Sequence, residues 1–66
     1  MMTLKHIDAG GHESVVSLVS VGFDPETKVV IGHGTPEGTT QWTDGRIYVM
    51  NDQGKTVAVY NLNSNK

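Results

Sequence analysis

The chain contains no cysteine, so no disulfide can brace it and no thiolate can act as nucleophile or metal ligand. That absence fits a reducing cytoplasm. Charge is also scarce: Asp, Glu, Lys and Arg make up 18% of the residues, against roughly 25% in an ordinary globular domain. The net charge is -2, and the five basic residues, Lys5, Lys28, Arg46, Lys55 and Lys66, are scattered. Non-specific nucleic-acid binding relies on clustered Lys and Arg, so nucleic acid is not an expected partner. No apolar run is long enough for a signal peptide or a bilayer span. The expectation is a cytoplasmic protein with no membrane partner.

Length sets the next limit. A chain of 66 residues buries only about 60% of the surface exposed when unfolded, and small domains usually add staples to so thin a core. Without disulfides, an economical β core, self-association or a metal must serve. A weakly charged β surface guards its strand edges poorly, so a homo-oligomer is expected. Residues 1–62 read as a single domain, with 63–66 a frayed polar tail.

What is present is β-forming sequence. From Gly45 to Leu62 two β-rich runs flank Asn51-Asp52-Gln53-Gly54, with Gly where a type I turn plus bulge needs a left-handed residue. Opposing Asn51 to Lys55 aligns Val49 with Val57 and Ile47 with Val59 on one face. The other face then pairs Met50 with Thr56, Tyr48 with Ala58 and Arg46 with Tyr60. Both faces carry apolar or aromatic groups, which a lone hairpin could not bury. This segment resembles the turn-plus-strand unit of β-propeller blades, a fold that 66 residues cannot close alone.

Upstream, Thr3 to Asp8 reads as a short strand ended by Ala9-Gly10-Gly11. Glu13 to Phe23 is the longest β-rich run, with Val15, Val19, Val21 and Phe23 on one face and Val16 and Leu18 on the other. Its β-branched density and Gly22 favour strand over helix. Asp24-Pro25-Glu26-Thr27 is a turn, and Lys28 to Gly32 returns. Two registers fit this second hairpin: Asp24 opposite Lys28, or a four-residue loop that shifts the partners by one. Gly32 to Gly38 reads as the one long irregular segment, and Thr39 to Trp42 briefly re-enters the sheet. The fold class is all-β: a small antiparallel sheet or barrel of about five short strands built from two hairpins.

Two groups of residues stand out as candidate ligand or partner sites. His33, Gly34 and Thr35 lie in the glycine-rich segment, where backbone can approach a ligand closely and successive amides can cradle an anion. Its spacing is not that of a phosphate loop, and the Lys is missing. Trp42, Arg46, Tyr48 and Tyr60 form the second group, because aromatic and Arg residues dominate binding hot spots. Trp42→Ala with Arg46→Ala is therefore expected to abolish partner binding and leave folding intact. His6, His12 and His33 lack a short ligand spacing such as His-x3-His, so neither metal nor cofactor is expected. No Ser sits in a nucleophile-elbow context, and Asp24 and Glu26 read as solvated turn charges, so no catalysis is expected. The composite expectation is a small stand-alone binding or regulatory protein of inhibitor or adaptor type, acting through a protein partner. Two alternatives remain: a homo-oligomer that sequesters an anionic small molecule such as a nucleotide, and a structural assembly subunit.

Overall fold

A computed structural model describes residues 1–62; the expected frayed tail, 63–66, lies outside them. The described residues are all-β, with seven strands: β1 (Met2–Ile7), β2 (Glu13–Leu18), β3 (Ser20–Asp24), β4 (Val29–Thr35), β5 (Gly38–Trp42), β6 (Arg46–Met50) and β7 (Thr56–Asn61). They form two open antiparallel sheets, ordered β2-β1-β6-β7 and β3-β4-β5. Among the described residues there is no closed barrel, and no helix is long and apolar enough to cross a membrane.

Two strands beyond the expected five arise from identifiable causes. The run from Glu13 to Phe23 is not one strand. It bends at Val19, which leaves the first sheet and donates its N–H to the His33 carbonyl at 2.8 Å. The bend changes the inward phase. Before it, Leu18 is buried and Val15 exposed; after it, Val21 packs against the core. Both phases of the run are apolar because each faces the core on one side of the corner.

The segment Gly32–Gly38 is likewise not an irregular loop. It is the end of β4, a turn at Pro36 and Glu37, and the start of β5, with Thr35 opposite Gly38. Proline presets the turn's first central position. A register shift between His33 and Thr35 absorbs Gly34, at φ 81°, as a glycine-centred β-bulge does.

In the β3–β4 hairpin the four-residue loop prevails. Asp24 opposes Val29 and Phe23 opposes Val30. Asp24 accepts from the Glu26 N–H through Oδ1 at 2.9 Å and from the Lys28 N–H through its carbonyl at 2.7 Å. Thr27 escapes the left-handed region, and Lys28 takes it at φ 58°. That conformation costs a non-glycine residue about 1–2 kcal/mol, while Gly brings a chain-entropy cost of about 0.5–1 kcal/mol. Lys28→Gly is thus expected to raise stability by roughly 0.5–1 kcal/mol. Urea unfolding tests this through a higher midpoint at unchanged slope; a lower midpoint refutes it.

The terminal hairpin keeps the expected turn. Asn51 N–H donates to the Lys55 carbonyl at 2.9 Å, and Gly54 has φ 79°. Its register is corrected beyond Met50 and Thr56. Val49 opposes Ala58, Tyr48 opposes Val59, Ile47 opposes Tyr60 and Arg46 opposes Asn61. Val57 is the extra residue of a bulge. The slip turns Val57 and Val59 to solvent and brings Tyr60 inward, where its ring stacks on Phe23 with centroids 5.0 Å apart. Ala58 and Tyr60 thereby take the inner face in place of the two valines, both packed against the core. Leu4, Leu18, Ile47 and Val49 of the first sheet and Val30 of the second are fully buried between the layers, joined by Leu62.

Candidate functional site

The tight β1–β2 turn positions one wall of the site. Asp8 Oδ1 accepts the Gly10 and His12 N–H groups at 2.9 Å each. The His12 amide is the main cause holding the Asp8 carboxyl below its ordinary 3.8, with the Gly10 amide and the nearby His12 and His6 rings adding to it. The turn sets Ser14 opposite His6 and Val16 opposite Leu4, on the face turned toward the second sheet.

The β4–β5 hairpin supplies the other wall. Together the walls enclose a groove of about 370 Å³ lined by Ser14, Val16, Thr35, Pro36, Glu37, Thr40 and Trp42. That volume lies in the range of small-ligand pockets. Thr35 is buried, and its hydroxyl lies 3.1 Å from that of Thr40. The Trp42 indole lies across Gly32: a Cβ there would come within 2.9 Å of both Trp42 Cζ3 and Leu18 Cδ1. The indole also meets His6, ring centroids 6.4 Å apart and tilted at 46°. His6 Nε2 donates to the Asp44 carbonyl at 2.8 Å, which fixes the ring beside the indole. Among the described residues Glu37 is the only charged one lining the groove.

Beside this groove runs an open strand edge. β2 pairs only with β1 in its sheet. Bonded and non-bonded pairs alternate along an antiparallel ladder. The Asp8 N–H bond to the His12 carbonyl therefore places the bonded pairs at His6–Ser14 and Leu4–Val16. Glu13, Val15 and Ser17 turn their N–H and C=O groups away from β1. Val19, next in that series, makes its outward bond to His33. Among the described residues the first three meet no strand.

The structure distributes the expected site residues over several surfaces. Thr35 and Trp42 meet in the groove. His33 is exposed on the outer face of the second sheet, opposite Ser20 and Thr39, and Gly34 forms the bulge beside Val19. Arg46 and Tyr48 lie on the outer face of the first sheet, in line with Ile7 and Lys5. Tyr60 faces inward because of the Val57 bulge. Trp42, Arg46, Tyr48 and Tyr60 thus share no single patch. Pro36 and Glu37 belong to the glycine-rich segment read as a candidate site, whereas the groove residues Ser14, Val16 and Thr40 lie outside both expected groups. Alternation with Trp42 marks Thr40, and the second apolar phase of the long run marks Val16; no sequence signal marks Ser14.

On that outer face Val15, Val57 and Val59 are each more than half exposed; Val59 opposes Tyr48, and Lys5 lies between Tyr48 and Val15. Lys5 pairs with Glu13 at 3.5 Å. Among the described residues no three His, Asp or Glu side chains converge to hold a metal ion. No family model, curated protein or solved structure matches the chain.

Proposed function

We propose that this is a small non-catalytic binding protein of inhibitor or adaptor type, which captures a protein partner by adding an extended segment of it to β2. The observation that carries this reading is the coincidence of the open β2 edge, at Glu13, Val15 and Ser17, with the groove beside it. Strand addition draws affinity from main-chain hydrogen bonds and specificity from pockets that receive alternate side chains. The groove is placed to receive the side chain that lies beside Val16. Among the described residues its lining contains no Lys or Arg and carries the Glu37 carboxylate, which disfavours an anionic ligand such as a nucleotide there.

Val15→Pro tests the reading. Proline removes the outward N–H of Val15 without touching a β1 bond, and edge strands tolerate it. The expected result is a discrete protein retained by the wild type and lost by a Val15→Pro variant that still melts cooperatively. Equal retention by both, or a sedimentation mass showing that a second copy occupies the edge, overturns it.

A further inference from the structure

The groove's chemistry specifies more than its position. We infer that the segment added to β2 directs a basic side chain, Arg or Lys, between Trp42 and Glu37, an assignment that rests on strand addition at that edge. Three features converge. Among the described residues Glu37 is the only charged one in the lining, so a cation entering the groove meets an attractive carboxylate and no competing cation from them. The walls beneath it are apolar, from Val16, Pro36 and the Trp42 indole, and suit the methylene stem of Arg or Lys while the charged head stays near water. The indole face is the best aromatic partner for a cation, and guanidinium stacks on it.

Registry supports the same occupant. In a strand added to β2, side chains alternate between the sheet's two faces. The residue beside Val16 points to the inner face, toward the groove. The residue beside Val15 points to the outer face, where Val15 is exposed and favours an apolar neighbour. The recognised pattern is therefore short: a basic residue beside Val16 next to an apolar β-former beside Val15. Arg46 and Lys5 lie on the outer face, away from the inserted charge.

The test uses the full chain and three synthetic nine-residue peptides of alternating Val and Thr, differing only in a central Arg, Glu or norleucine. Amide shifts at Glu13, Val15 and Ser17 report strand addition. Emission from Trp42, the only tryptophan, reports filling of the groove. The Arg peptide is expected to move both signals and to bind roughly ten-fold tighter than the Glu peptide. Glu37→Gln should cut that preference several-fold, and Val15→Pro should abolish β2 shifts for every peptide. Shifts at β2 with equal affinity for Arg and Glu peptides overturn the basic side chain and leave strand addition standing. No β2 shift with any peptide overturns both. If n-butylguanidinium alone binds as tightly as the Arg peptide, the groove takes a free cation and the extended segment is refuted.

Discussion

Gly34→Ala is expected to destabilise the fold by roughly 2–5 kcal/mol, a sum of two separable costs. The first is conformational: φ is 81°, a region that costs a residue bearing a Cβ about 1–2 kcal/mol. The second is steric. The new methyl would lie 2.5 Å from Val19 Cγ2, 2.8 Å from Val19 Cβ and 3.1 Å from Val19 N, and overpacking of that kind costs about 1–3 kcal/mol. A domain of this length holds only about 3–10 kcal/mol in total, so a large share of the variant should be unfolded in water. Gly54→Ala is the control. Its φ of 79° is nearly the same, yet nothing lies within 4 Å of the added methyl, so it reports the conformational cost alone. Urea unfolding of both variants separates the two. If they lose the same stability, the contact at the Val19 corner contributes nothing. Val19→Ala should return part of the loss in Gly34→Ala by removing the nearest methyl.

That expected result bears on how a glycine in a promising motif is read. His33-Gly34-Thr35 resembles a ligand-approach segment by composition, yet the constraint on Gly34 comes from Val19, fifteen positions earlier in the chain. No local rule reports such a contact. Local chemistry was legible elsewhere. Asn51 to Gly54 specified its own turn, Asp24 and Pro25 marked theirs with its register left open, and the all-β class followed from β-branched runs between turn residues. The misses are tertiary. Two apolar phases in Glu13–Phe23 are compatible with one two-sided strand or with a corner between sheets, and only the second sheet's position selects the corner. The Val57 bulge is invisible locally, because its gain is the stacking of Tyr60 on Phe23 from another sheet. The groove was half legible for the same reason. Trp42 and Thr35 carry hot-spot and glycine-segment signals, but Ser14 and Val16 join them only through sheet packing.

Trp42→Ala is expected to cost about 3 kcal/mol or more, contrary to the expectation that it would leave folding intact. The indole is half-buried, covers Gly32 and flanks His6, so truncation opens a void between the layers as well as emptying the groove floor. Arg46→Ala should change stability by less than about 0.5 kcal/mol, since Arg46 is exposed on the other sheet. The two losses should add, because the side chains lie on different sheets. A loss of partner binding in Trp42→Ala therefore cannot by itself be assigned to the groove. Gly32 supplies the way to separate them. In the wild type, Gly32→Ala drives a methyl to 2.9 Å from the indole and from Leu18, and should destabilise by roughly 1–3 kcal/mol. In the Trp42→Ala background the indole is gone, only the flexible Leu18 terminus remains to yield, and the same methyl enters vacated space. Gly32→Ala should then be neutral or stabilising, so the cycle gives a coupling energy of about 1 kcal/mol or more. Thermal unfolding followed by far-UV circular dichroism measures it without needing the tryptophan. An additive cycle would show that the indole does not rest on Gly32, and the packing that shapes the groove floor would be wrong. A coupled cycle fixes Trp42 as that floor, and partner binding can then be read from Glu37→Gln and Val15→Pro, which leave the indole in place.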